Sequence, residues 1–473
     1  MALTAYGIPA SDERCDDIMY QYVTGVTAKP TLVTAMPDAL PDAVQLRPGF
    51  AVLGVIGPDS VPHREALRVW TRAVAPGIVV RFAISLRDRA ERPWAESAAA
   101  SAESDVDFID CLGQRSGASV VISHLFDAWI RHAVARYPYA AFIGRADSDA
   151  IPSPGWLQAV LAAEAARQTR LQQRGPAMVY MGSFQWYNWD EFAYRPWGWG
   201  MGPLNSRRRA IAENGARCQS ESTPGCAGPF PFAQGPLLLL SQALAQWYAR
   251  SEFVASAVAS SIDSRLNRTS DDSAGSGGGG GAPLSLEAAR ARASFLRLSE
   301  PGDLDVRLFD DVFLGHALCV GDGGGPSGHG GRNGALRGGL GSGGAPNVSV
   351  IVFPPGLLAD FPCNGGESGC HRGMHRYNWT APGAPLIAHR VRRPPYVPFA
   401  LELLRSAPFK VPQTATCAPM RPVRKEVPVS HCLSRGWEWC ELPYKAAPMM
   451  KRTPTNRPAG RASKAKPISR SSS

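Results

Sequence analysis

Apolar residues along this chain fall into short continuous runs separated by polar, helix-period segments. Phe50-Ala-Val-Leu-Gly-Val-Ile-Gly57 is apolar at successive positions and stops at Gly-Pro, which predicts a strand buried on both faces. His63 to Val74 follows with Ala66, Leu67 and Trp70 at helical spacing, and Ile78 to Leu86 is a second strand rich in β-branched residues. Ser119 to Tyr137 has the period of an amphipathic helix. Tyr139-Ala-Ala-Phe-Ile143 is a third strand that runs into Arg145-Ala-Asp147-Ser-Asp149. Strand–helix–strand–helix–strand with apolar strands predicts an α/β domain with a central, mostly parallel sheet. Such sheets bind ligands at the carboxyl ends of their strands, where Asp147 and Asp149 stand.

Further along, Trp156 to Gln173 reads as a helix and Met178 to Phe184 as a strand, followed by an aromatic stretch from Trp186 to Trp199. Pro229-Phe-Pro-Phe-Ala-Gln-Gly235-Pro-Leu-Leu-Leu-Leu-Ser241 reads as a Gly-containing turn, a buried strand and a helix cap at Ser241. Glycine-rich inserts at 270–283 and 321–346 bury too little surface to offset their ordering entropy and are expected to be disordered. The expected division is a polar, Pro-rich segment 1–47, a folded domain 48–405 carrying both inserts, a Cys-containing appendage 406–445, tied by a disulfide, and a disordered basic tail 446–473.

Charge changes this picture little. The net charge is +10, and seven of the excess cations (Lys451, Arg452, Arg457, Arg461, Lys464, Lys466 and Arg470) lie in the tail, which has no acid. A Ser/Pro/Lys/Arg end of this kind is a solvated segment, so no nucleic-acid partner is expected. Such a partner would show tight, salt-sensitive binding lost on removal of the tail. The ten cysteines include no CxxC pair, which argues against a zinc site. Cys218/Cys226 and Cys363/Cys370 are spaced for short-loop disulfides in an oxidising compartment. The sequons at Asn267, Asn347 and Asn378 point the same way. Residues 1–50 contain no apolar run of signal-peptide or membrane-helix length.

Three places can carry chemistry. Asp147 and Asp149, one residue apart at a strand end, can both reach a divalent cation that bridges two phosphates of a nucleotide diphosphate; the plainer reading is that Asp favours turns. Asp310 and Asp311 sit among apolar residues in Phe309-Asp-Asp-Val-Phe-Leu-Gly315. Either acid can be a general base for a hydroxyl or mark the start of a helix, and the two roles are compatible. Arg64 and Arg68, four apart on one helical face, can contact a nucleotide phosphate or form solvated ion pairs with Glu65 and its neighbours. The stretch holding Tyr187, Asn188 and Trp189 can stack on a ligand's ring or pack a subdomain.

In order and spacing these elements resemble the β-1,3-glycosyltransferases of glycosyltransferase family 31, the galactosyl- and N-acetylglucosaminyltransferases with their fringe-like branch. The resemblance is carried by Arg64-Glu-Ala-Leu-Arg68 followed by Trp70, Arg145-Ala-Asp147-Ser-Asp149, Pro231-Phe-Ala-Gln-Gly235 through Ser241, Asp310-Asp311-Val312-Phe-Leu-Gly315 and His389-Arg-Val391-Arg392. It departs from the family pattern in Arg145 for Lys, Ser148 for the middle Asp, and Ile122-Ser123-His124 where a Lys-Thr is usual.

The resemblance implies a GT-A type, Rossmann-like nucleotide-sugar-binding domain, a UDP-sugar donor, Mn²⁺ and inverting transfer of a hexose to a glycan or glycoprotein acceptor. It puts Asp147 and Asp149 on the metal with His389 as a candidate third ligand, although His389 also reads as a surface histidine. Asp311 becomes the base, with Asp310 beside it. Arg64, Arg68, Arg145, Asp147 and Gly235 fall to the donor, and Tyr187, Asn188 and Trp189 to the acceptor. The family implies a Golgi lumen location with an N-terminal membrane anchor, so a sequence lacking its true start is expected. The rival expectation is a catalytically weak, lectin-like or scaffold protein that kept the fold.

Overall fold

The computed structural model describes residues 46–57, 60–86, 103–111, 120–171, 177–187, 230–255, 258–259, 310–320, 347–354, 356–361, 379, 381–392, 394, 396–407, 409–410, 415–420 and 437–445. Both Gly-rich inserts, the basic tail, Asn188, Trp189, Asn267, Asn378 and the cysteines at 218, 226, 363 and 370 lie outside them.

β1 (Ala51–Ile56), α1 (Val61–Val74), β2 (Ile78–Ser85) and β3 (Val106–Ile109) open the fold, followed by α2 (Val120–Arg136) and β4 (Phe142–Asp147). β5 (Ile151–Pro152), α3 (Pro154–Leu171), β6 (Met178–Tyr187), β7 (Phe230–Ser241), α4 (Gln242–Arg250), α5 (Asp310–Val320) and β8 (Val348–Val352) come next. β9 (Leu358–Asp360), β10 (Ile387–His389), α6 (Tyr396–Ser406), β11 (Thr416–Pro419) and β12 (Glu438–Glu441) complete it. Nine strands form one sheet in the order β11-β12-β8-β6-β7-β4-β1-β2-β3. β7 and β11 pair antiparallel with both or their one neighbour, and every other pairing in the sheet is parallel. The fold is therefore mixed α/β with a large, mostly parallel sheet.

Alternation along the strands sends side chains to two cores. Ala51, Leu53 and Val55 of β1 enter one with Leu67 and Trp70 of α1, Leu157 and Leu161 of α3, and Leu401 and Leu404 of α6. Val52 and Ile56 enter the other with Phe126 and Trp129 of α2, Leu244 and Tyr248 of α4, and Val312 and Leu318 of α5. Covering both faces is why β1 is apolar at every position and buried throughout. Gly54 stands where the Trp129 indole lies on the sheet, and a Cβ there would collide with the ring. The indole N–H donates to the carbonyl of Gly144 at 2.9 Å.

Ser60 caps α1, accepting the His63 N–H at 3.4 Å, with Pro62 in the first turn. Ser241 caps α4 as expected, accepting from Leu244 N at 3.4 Å. It also accepts from Val179 N at 2.9 Å and donates to Ala177 O at 3.0 Å, tying β7 to β6.

Three expectations change. The strand read from Tyr139 begins at Phe142 and runs on through Asp147; Ala140 N instead closes a turn on Tyr137 O, and Tyr139 is exposed. The turn expected at Gly235 is an irregularity inside a continuous β7. Gly182 pairs with Leu238 but Phe184 with Ala233, so two steps on β6 face five on β7. The segment read as an appendage is part of the sheet. β12 pairs with β8 in parallel, Cys440 and Trp437 are buried, and the expected disulfide joins Cys417 to Cys440 across β11–β12.

Candidate functional site

The carboxyl end of β4 is the point where the large sheet meets a second, three-stranded one. After Asp147 the chain turns, with Ala150 N bonded to Asp147 O at 3.0 Å, and enters β5. β5 pairs antiparallel with β10, and β10 pairs parallel with β9, which sets His389 opposite Asp360. Val391 N then donates to Asp149 O at 2.9 Å. This backbone closure brings a histidine from the end of the fold onto the Asp-Ser-Asp turn.

The side chains converge accordingly. His389 Nε2 lies 3.6 Å from Asp149 Oδ1 and 4.0 Å from Asp147 Oδ2. One ligand atom from each of Asp147, Asp149 and His389 falls within 4.8 Å of the others, and all three residues are half-buried. Two carboxylates and an imidazole suit a divalent cation such as Mn²⁺, which takes oxygen and nitrogen donors. Arg392 Nε also reaches Asp149 Oδ2, at 3.3 Å. Burial works against the imidazolium form of His389, but the hydrogen bond to Asp360 and the charges of Asp149 and Asp147 outweigh it and raise the pKa.

Behind this cluster, Arg145 is almost fully buried. It donates through Nε and Nη2 to the carbonyl of Gly235 at 3.2 and 3.0 Å, and Nη2 also pairs with Asp147 Oδ1. Its guanidinium lies 5.7 Å over the Phe126 ring. Gly235 is glycine because a Cβ would stand 2.5 Å from Arg145 Nη2 and 3.0 Å from Asp147 Oδ2. The irregularity in β7 thus lets its backbone touch the pair directly.

Gly235 N donates to Asp311 Oδ2 at 3.0 Å, and Val312 N to Asp311 Oδ1 at 2.8 Å. Asp311 is buried at the start of α5. Burial pushes its carboxyl up to about 6; Arg145 and the two N–H donors oppose this, while Asp147 adds to it. A carboxylate tuned toward neutrality is suited to accept a proton from a hydroxyl. Asp310 is the first residue of the same helix, and its side chain is outside the described atoms.

Arg64 and Arg68 are committed elsewhere. Arg64, fully buried, forks onto Glu103 at 2.8 and 2.9 Å. Arg68 forks onto Asp105 at 2.8 Å through both Nε and Nη2 and also pairs with Glu103. Bidentate ion pairs to the segment entering β3 give these arginines a structural use: they clamp α1 to the edge of the sheet. Tyr187 ends β6 opposite Phe230, with its side chain outside the described atoms. Asp360 escaped the sequence reading altogether. It is a lone acid closing a three-residue strand, and nothing near it in the chain announces its partner.

No protein-family model matches the chain, and no curated protein matches it. Among solved structures it is similar to the galactosyltransferase LgtC in complex with donor and acceptor sugar analogues, at 11% identity and a TM-score of 0.22, over 46% of this chain and 65% of that one. An active-site mutant of LgtC matches at 10% identity and a TM-score of 0.21, over 46% and 64%. The chain thus spans slightly under two thirds of the length of either. A likeness at this level carries no functional information. Among the described residues no helix is long and apolar enough to cross a membrane.

Proposed function

We propose that this chain is a metal-dependent glycosyltransferase of GT-A type that moves galactose or N-acetylglucosamine from a UDP-sugar onto a glycan hydroxyl, inverting to a β-1,3 linkage. The observation that carries the proposal is the convergence of Asp147, Asp149 and His389 at a strand end, with the buried, raised-pKa Asp311 joined to it through Gly235 and Arg145. The ordered motifs that resemble family 31 supply the sugar, the linkage and the inverting course.

In this reading Asp147, Asp149 and His389 hold a divalent cation, Mn²⁺ by the resemblance. When bound, that ion supplies electrostatic stabilisation of the departing diphosphate. Arg145 fixes the Asp147 carboxylate and the Gly235 backbone in one position, so the donor side of the cleft is organised before substrate arrives. Asp311 takes the proton of the attacking hydroxyl, and the carbon–oxygen bond to the sugar forms as the bond to UDP breaks on the opposite face. Its two backbone donors then steady the carboxyl as its charge changes. The Cys417–Cys440 disulfide supports an oxidising compartment such as the Golgi lumen.

The test is turnover of a panel of UDP-sugars with Mn²⁺ or with EDTA, for the unaltered chain and for Asp149→Ala and Asp311→Ala. Metal-dependent transfer from one donor, lost in both variants, is expected. Absence of both turnover and UDP binding would refute the enzyme in favour of a non-catalytic protein that retains the fold.

A further inference from the structure

Asp360 sits outside the three-ligand cluster but contacts one of its members directly. Its Oδ1 lies 2.8 Å from His389 Nδ1, and its Oδ2 lies 3.0 Å from Arg390 Nε. The residue is buried at the end of β9. Its neighbour Phe361 donates through N to His389 O at 2.6 Å, so backbone and side chain hold the same histidine.

A carboxylate facing Nδ1 at this distance requires the proton on Nδ1. The neutral ring then carries its lone pair on Nε2, the atom that faces Asp149 and Asp147 at 3.6 and 4.0 Å. Without that fixed acceptor, the imidazole would divide between two tautomers and several ring orientations, and part of the population would turn an N–H toward the carboxylates.

Arg390 completes the arrangement. Its backbone is left-handed at φ 65°, a conformation that costs a non-glycine residue free energy and persists only where the surroundings impose it. Here the bend does two things at once. It returns the Arg390 guanidinium to Asp360, and it lets the next N–H, that of Val391, reach the Asp149 carbonyl. The Arg390 charge compensates Asp360, so a buried third carboxylate can orient the histidine without adding net negative charge to the site.

We propose that Asp360 is a positioning residue of the cation site. On the metal-centre reading above, it fixes the His389 tautomer and ring angle so that Nε2 is presented to the ion held by Asp147 and Asp149. Partners of this kind typically contribute about 10- to 100-fold to metal affinity. The same contact also has a purely structural interpretation, as a link between β9 and β10, and the two differ in how substitutions combine.

The experiment is calorimetric titration of the full chain with Mn²⁺ alone, on the unaltered protein, Asp360→Ala, Asp360→Asn, His389→Ala and the double Asp360→Ala/His389→Ala variant, with thermal unfolding recorded for each. Asp360→Ala should weaken Mn²⁺ binding about tenfold or more. Asp360→Asn, which keeps the shape and an acceptor oxygen, should fall between it and the unaltered chain. The double variant should bind no more weakly than His389→Ala, because Asp360 acts only through that ring. An affinity for Asp360→Ala within about twofold of the unaltered chain, an Asp360→Asn loss larger than that of Asp360→Ala, or losses that multiply in the double variant, would overturn the proposal while leaving the metal centre standing. Failure of the unaltered chain to bind Mn²⁺ would overturn the metal centre and this role together.

Discussion

Replacing Asp311 by asparagine separates what this carboxyl does for folding from what it does for chemistry. In the folded chain burial pushes the group from its ordinary 3.8 up to about 6. The unfolded chain, where it is solvated, titrates at the ordinary value. A folded pKa above the unfolded one means that the native state holds the proton more tightly. The contribution to stability is therefore fully present below about pH 4, declines as pH rises, and is lost above about pH 6. At about 1.4 kcal/mol per pH unit the displacement amounts to about 3 kcal/mol, of which about 2 kcal/mol falls between pH 4.5 and pH 8. Asparagine cannot ionise. It also turns an amide N–H toward one of the two backbone donors, Gly235 N or Val312 N, but that cost does not depend on pH and cancels in a comparison across pH. Urea unfolding of both proteins in EDTA, at about pH 4.5 and about pH 8, should show Asp311→Asn gaining about 2 kcal/mol on the unaltered chain at the higher pH. A double difference below about 0.5 kcal/mol, or one of opposite sign, would refute the raised pKa. The catalytic counterpart runs the other way: the base must be ionised, so transfer should fall as pH drops through about 6, and Asp311→Asn should abolish it.

Arg392 bonds the Asp149 carboxylate that the proposed cation would use. Since a half-exposed ion pair is worth under about 1 kcal/mol, Arg392→Ala should tighten Mn²⁺ binding roughly two- to fivefold by calorimetry; weaker binding would show that the guanidinium does not oppose the ion. Gly235→Ala places a Cβ against Arg145 Nη2 and Asp147 Oδ2, and should cost about 1–3 kcal/mol in thermal unfolding and weaken Mn²⁺ binding; an unchanged melting temperature would mean the pair moves aside freely. Gly54→Ala drives a methyl into the Trp129 indole, whose N–H bonds the Gly144 carbonyl beside Arg145. It should destabilise by about 3 kcal/mol in thermal unfolding, and an unchanged melting temperature would mean that the indole moves aside freely.

The strands and helices that were legible in the sequence are those long enough to show a period. β1 is apolar at six successive positions because helices cover both faces of the sheet, and that run cannot be mistaken for a surface element. The Asp147/Asp149 pair was visible because a strand leads into it, and the Ser241 cap because a serine follows four leucines. β9 and β10, three residues each, and β11 and β12, four each, are too short to carry a pattern. They were consequently absent or read as an appendage, although they place His389 and close the sheet. Arg64 and Arg68 looked available because Glu103 and Asp105, their partners, lie more than thirty residues away in sequence. Asp360 was invisible for the same reason: its histidine is 29 positions on. Charge compensation across loops leaves no local signature, whereas periodic burial does.

The way β5 stitches Asp149 to His389 also bears on how the protein matures. The two carboxylates lie on the first-formed half of the chain and the imidazole on the last, so binding of the proposed cation would report whether the C-terminal strands have docked. A polypeptide ending before Ile387 would keep β1, β2, β4 and the Asp-Ser-Asp turn, yet would lack the β10 ledge that completes the ligand set. An ion that binds only the docked form stabilises it by mass action. The metal would then act as a late fastener of a topology dominated by long-range contacts, and a protein synthesised under cation starvation would be most vulnerable at the junction of the two sheets.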